Sequence, residues 1–102
     1  MPRVRLSRRA QVDFDEIIAY LSDIAGARVA ARYGHEIRGS INRLAILPHI
    51  GPPRPALGTH IRIVIVSPYL IIYDPDSYDD GIHVLRILHE SRDITRKTLM
   101  SR

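Results

Sequence analysis

Residues 48–58, PHIGPPRPALG, hold four of the seven prolines and two of the six glycines of this 102-residue chain. No regular element accommodates so many residues with a fixed φ or no side chain, so the stretch reads as a stiff surface connection. It separates two kinds of pattern. Before it, apolar residues recur with a helical period; after it, they come in short β-branched runs. A chain of this length forms one domain, 1–102, so both halves must share a core.

The first half opens on Val4-Arg5-Leu6, a short alternating strand. Ser7 then stands as an N-cap. Phe14, Ile17, Ile18, Leu21 and Ile24 make one apolar stripe, with Asp13, Asp15 and Glu16 placed off it, which predicts a helix over 8–24. Gly26 marks its end. A second stripe, Ala30, Tyr33, Ile37, Ile41 and Leu44, predicts a helix over 27–47 that stops at Pro48. Gly34 and Gly39 each cost on the order of 1 kcal/mol inside it, a cost that close approach to the first helix would explain. The two helices form a hairpin.

Beyond the connection, HIRIVIV (60–66), YLIIYD (69–74) and IHVLRILH (82–89) read as strands, joined by a turn at Ser67-Pro68 and by PDSYDDG. Their short connections imply an antiparallel meander. The tail from about 94 is a short helix or a loose end. The order is β-α-α-β-β-β, an α+β fold with the hairpin on one face of a small antiparallel sheet and the other face partly open.

Basic residues number 15 against 11 acidic ones, and all but Lys97 are arginine. Arginine's planar fork suits carboxylates and phosphates, so an acidic protein or a nucleic acid is the expected partner; a high-GC genome also favours arginine. Cysteine is absent. With no apolar stretch long enough for a membrane span and no signal core behind the basic start, a cytoplasmic protein is expected.

Simple alternation puts Val84, Arg86 and Leu88 on one face of the last strand. If Leu85 and Ile87 pack on the helices, Arg86 stands on the open face with Arg62, a possible anion grip. His89, Glu90, Arg92 and Asp93 close that strand and have the chemistry for proton transfer and phosphate stabilisation, though a solvated turn has the same composition. Asp74, Asp76, Asp79 and Asp80 do not fit a calcium loop, because Tyr78 occupies a ligand position. The histidines lack metal-ligand spacing, and no phosphate loop or nucleophile elbow is present. No metal, cofactor or catalytic residue is expected.

RLSRRAQVDFDEIIAYL (5–21), PHIGPPRPALG (48–58), IRIVIVSPYLIIY (61–73) and VLRILHESRDI (84–94), in that order and spacing, resemble the RelE/ParE toxin superfamily, its ParE-like branch in particular. The resemblance implies the toxin of a bacterial type II toxin–antitoxin pair. That toxin would inhibit DNA gyrase by binding, arrest growth, serve plasmid stabilisation, and be neutralised by a ParD-like antitoxin in a hetero-oligomer. DNA would be met only indirectly, through the antitoxin complex.

The alternatives are a RelE-type ribosome-dependent mRNA endoribonuclease or an inactive relative. Against the nuclease, the third-strand position that carries arginine in RelE-like enzymes is apolar here, within PYLII, and no tyrosine follows His89. Target binding is expected from Arg62, Arg86, His89, Arg92 and Lys97, and antitoxin binding from Arg28, Arg32 and Arg43.

Overall fold

The computed structural model describes residues 3–77 and 81–100. Its elements run β1 (Arg3–Leu6), α1 (Arg8–Ala25), α2 (Ala27–Arg43), β2 (Arg62–Val66), β3 (Tyr69–Asp74), β4 (Gly81–His89) and α3 (Arg96–Met100). Ser7 caps α1 as its sequence suggests: its Oγ accepts the Ala10 N–H at 2.9 Å. Gly26 divides the helices at φ 93°, where a side chain would be strained. Gly34 permits the close helix pairing expected of it, since a Cβ there would lie 3.1 Å from the Ile18 side chain. Gly39 has no such role; its nearest neighbour would be Arg43 at 3.9 Å.

α2 ends four residues before the expected limit at Leu47. The N–H groups of Leu44 and Ala45 turn to the carbonyls three residues back, Ile41 and Asn42, and the helix tightens into turns around the buried Leu44.

The sheet order is β1-β4-β3-β2. The last three strands form the antiparallel meander; β1 joins beside β4 in parallel, so the sheet is mixed. Phe14, Leu21, Ala30, Ile37, Ile41 and Leu44 of the helical hairpin pack on Ile71, Tyr73, Ile82, Val84 and Ile87.

One expectation about the sheet is sharpened and one corrected. The face away from the hairpin is only partly open: Leu57 of the proline-rich loop and Ile61 just after it, with Ile94 and Leu99 at the C-terminal end, pack there against Ile63, Ile72 and Leu88, while Ile65 stays exposed. The apolar Leu99 is what makes α3 a docked helix, where the tail read equally well as a loose end. Simple alternation fails in β4. Ile72 pairs with Arg86 but Tyr73 pairs with Val84, so Leu85 is an extra residue and forms a bulge. Val84 and Ile87 therefore both face the helices, and Leu85 packs on the opposite side.

Candidate functional site

Leu6 ends β1 beside Val84, and from there α1 carries the chain away from the sheet. β4 runs on past it with one flank uncovered. Side chains close the first part of that flank. Ser7 donates its backbone N–H to the Val84 carbonyl at 2.8 Å and its Oγ–H to the Leu85 carbonyl at 2.8 Å. Asp13 of α1 accepts the Ile87 N–H at 3.0 Å. The same carboxylate takes Arg86 bidentately, with Nε at 2.7 Å and Nη2 at 3.1 Å. Arg86 also donates from Nη1 to the Thr98 carbonyl of α3 at 2.9 Å.

Asp13 and Arg86 are only 4% and 2% exposed. In such a setting an ion pair persists only when it is well hydrogen-bonded, and here each nitrogen of the guanidinium and both carboxylate oxygens have a partner. The pair ties α1, β4 and α3 together.

Next to it lies a cleft of about 400 Å³ between α1 and the end of β4, lined by Glu16, Ile17, Tyr20, Tyr69, His89 and Arg92 among others. The His89 ring stands edge-on to Tyr69, with centroids 5.7 Å apart, and Tyr69 meets Tyr33 in the same way at 6.1 Å. The Ser91 N–H donates to Nδ1 of His89 at 3.0 Å, which leaves the proton of the neutral ring on Nε2. Burial, then the neighbouring Tyr33 and Tyr20, raise the Tyr69 hydroxyl above its ordinary pKa, so it remains a neutral donor. Aromatic walls with one carboxylate and one guanidinium on the rim suit an amphipathic side chain of a protein partner.

The residues singled out from the sequence are dispersed. His89 and Arg92 share this cleft. Arg86 is not on an open face; it is buried behind the cleft wall, with Asp13. Arg62 lies on β2 at the opposite flank and faces the other way, because the bulge reverses the order on which the shared face rested. Its guanidinium donates to the carbonyls of His49 (3.1 Å) and Gly51 (2.7 Å) and holds the proline-rich loop. Lys97 is exposed on α3.

Arg28 and Arg32 are exposed on α2, the latter over the Tyr33 ring at 5.4 Å. Arg43 donates to Ser40 Oγ at 2.8 Å and lines a groove with His35, Glu36 and Ile65. In the acidic turn, Asp76 meets His49 at 3.3 Å, and its N–H binds the Asp74 side chain; Tyr78, Asp79 and Asp80 lie outside the described residues. Among the described residues, no group of three His, Cys, Asp or Glu could hold a metal ion, and no helix is long and apolar enough to cross a membrane.

Sequence reasoning missed Asp13, Glu16, Tyr20 and Tyr69. Asp13 had a signal. Positions 10, 13, 14, 17 and 21 are one helical stripe, so a carboxylate at 13 points inward and requires a buried cation.

Known proteins share this architecture. Residues 4–94 match the family described as the ParE toxin of the type II toxin–antitoxin system parDE. Toxin ParE1 of Caulobacter vibrioides is 31% identical over 91 residues, covering 89% of this chain and 92% of that protein. A solved chain of the chromosomal ParDE system of P. aeruginosa superposes with a TM-score of 0.74 at 21% identity, covering 87% of this chain and 96% of that one. The fold is a small α+β one of the hairpin-on-sheet class. The chain belongs to the ParE toxin family of type II toxin–antitoxin systems.

Proposed function

We infer that this toxin acts by binding DNA gyrase, and that a ParD-like antitoxin neutralises it in a hetero-oligomeric complex. Membership in the ParE family supports this reading of the target and of the antitoxin. The observation that favours inhibition by contact over RNA cleavage is the engagement of Arg86. Phosphoryl transfer needs a proton carrier and an available cation at the same phosphate. Here Arg86, the arginine that precedes His89 on β4, is closed off by Asp13 and Thr98 and serves to position the strand end, so that Arg92 is the cation that shares the cleft with His89.

His89 and Arg92 in the cleft, with Lys97 on α3, form the target-facing surface. Arg86 and Arg62 support it indirectly, by fixing β4 and the proline-rich loop. Arg28, Arg32 and Arg43 face an acidic antitoxin segment that orders on binding. The toxin acts in the cytoplasm, arrests growth, and in this way stabilises the plasmid or locus that encodes it.

The test is gyrase-catalysed supercoiling of relaxed plasmid, titrated with purified toxin and scored for trapped double-strand breaks. Inhibition with breaks, weakened in Arg92→Ala, is the expected result. Unchanged supercoiling by folded toxin would overturn the reading, and message cleavage in a translating extract that is lost in His89→Ala would replace it with the nuclease.

A further inference from the structure

Two polar groups at the cleft are engaged within the fold: Asp13 with Arg86, and Nδ1 of His89 with the Ser91 N–H. The Tyr69 hydroxyl is not. Tyr69 lines the cleft and is only 5% exposed, yet its hydroxyl makes no hydrogen bond with any described residue. Tyr73 is the contrast, because its buried hydroxyl accepts the Gly51 N–H at 3.0 Å. A hydroxyl withdrawn from bulk water without a partner costs free energy that a phenylalanine would not. Among the described residues the one sealed side-chain atom without a partner is Nε of Arg9, so the Tyr69 hydroxyl stays within reach of a ligand in the cleft.

Two further donors line the same cleft. The neutral His89 ring carries its proton on Nε2, and it stands 5.7 Å from the Tyr69 ring, centre to centre, across the β3–β4 pair. The Arg92 guanidinium has no acidic partner among the described residues, although Glu90 and Asp93 flank it in sequence. Two carboxylates line the cleft. Asp13 is taken up by Arg86, and Glu16 is exposed, where water and salt screen it. Ile17 and Ile87 add apolar wall.

We propose that the cleft is the receptor for an acidic side chain, the carboxylate of a glutamate or aspartate on the protein target of the toxin. One carboxylate oxygen accepts the Tyr69 O–H. The other accepts from Nε2 of His89 and from Arg92. The methylene stem of the acidic residue packs on Ile17, Ile87 and the Tyr20 ring. A phosphodiester has the same charge but no apolar stem to cover those walls. A cationic side chain would leave His89 and Arg92, which only donate, without an acceptor. This deepens the target reading and rests on it only for the natural source of the carboxylate.

The experiment uses the full-length toxin, isotopically labelled, and follows the Tyr69 and His89 ring resonances. The probe is glutamate blocked at both ends, N-acetyl-glutamate N-methylamide. Blocked glutamine, blocked lysine and dimethyl phosphate are the comparators. Saturable shifts at both rings are expected with glutamate, and none with glutamine or lysine. Tyr69→Phe keeps the edge-on ring contacts, loses no hydrogen bond of the fold, and weakens binding about tenfold. Arg92→Ala weakens it about fivefold. Glu16→Gln removes a like charge and strengthens it about twofold, a change opposite in sign to that of a cation site. Circular dichroism confirms that the variants fold.

Unchanged affinity in Tyr69→Phe, weaker binding in Glu16→Gln, or a preference for lysine overturns the proposal. Tighter binding of dimethyl phosphate than of glutamate replaces it with a nucleic-acid contact. Glutamate bound as expected by a toxin that leaves gyrase untouched overturns the target reading and leaves the carboxylate site standing. Full inhibition of gyrase by Tyr69→Phe toxin sinks this proposal alone.

Discussion

The two flanks of the sheet are closed by different chemistry. Beyond the end of β1, the uncovered side of β4 is closed by a buried ion pair, Asp13 with Arg86. On the far flank, β2 is covered by a proline-rich loop held mostly by neutral groups. Its backbone pairs with Ile61 and Ile63, the Tyr73 hydroxyl accepts the Gly51 N–H at 3.0 Å, and the one cation used, Arg62, binds carbonyl oxygens. Both arrangements keep an exposed strand edge from pairing with other chains. The difference shows that a charge in a strand can be architectural. Arg86 and Arg62 both have the composition of an anion grip, and each is engaged within the fold at its own flank.

Removing one partner of the ion pair is expected to have the largest effect. Asp13→Ala leaves a buried guanidinium without its counter-charge and the Ile87 N–H without an acceptor, and costs about 3–5 kcal/mol. That is a large share of the stability of a domain this small. Urea denaturation measures it. The double variant Asp13→Leu, Arg86→Met fills the same space without charge and recovers most of the loss. A loss in Asp13→Ala below about 1 kcal/mol, the range of exposed pairs, would mean that the flank is closed by packing alone.

The loop-covered flank breaks through sterics. A Cβ on Gly51 would sit 2.5 Å from the Ile63 carbonyl oxygen and 3.0 Å from the Tyr73 ring, and the strand backbone cannot yield. Gly51→Ala is expected to cost about 1–3 kcal/mol. Gly39→Ala is the contrast. Its Cβ would meet only the flexible end of Arg43, so relief of the glycine penalty stabilises the helix by up to about 1 kcal/mol. Equal effects in the two variants, read from their unfolding midpoints, would refute the steric account of Gly51.

Much of this was legible in the sequence. Ser7, the helical stripes, Gly26 and the β-branched runs each fix local structure by short-range chemistry, and their elements lie where expected. The bulge at Leu85 was not legible. One extra residue in VLRIL leaves no mark on composition, yet it reverses which side chains share a face, and the reading of Arg62 beside Arg86 fell with it. Nor was the cover on the second face clear, because Leu57, Ile94 and Leu99 are isolated apolar residues in segments without periodicity, and Ile61 reads as part of the strand that follows. The cleft needs Tyr20 from α1 and His89 from β4, residues distant in sequence that only the docking of helix on sheet brings together.

The neutral hydrogen bond at the loop flank has an effect no larger than that of Gly51→Ala, and a pH dependence that isolates it. Burial raises the Tyr73 hydroxyl above its ordinary value of 10.0, outweighing the Gly51 N–H and Arg62, which lower it. The raised value means that the fold favours the protonated phenol. Its contribution is therefore complete below the unfolded-state value and is lost as the pH rises through the folded-state value above it. Tyr69 is raised in the same direction, so the whole toxin weakens in alkali by two shares. Tyr73→Phe removes one of them. It lowers stability at neutral pH by about 1–3 kcal/mol, because the buried Gly51 N–H loses its acceptor, and its stability then falls less steeply in alkali than that of the unaltered toxin. Denaturation midpoints measured from neutral to strongly alkaline pH make the comparison. Curves falling in parallel would assign the alkaline loss to Tyr69, and would leave the loop flank held by its backbone bonds and Arg62 alone.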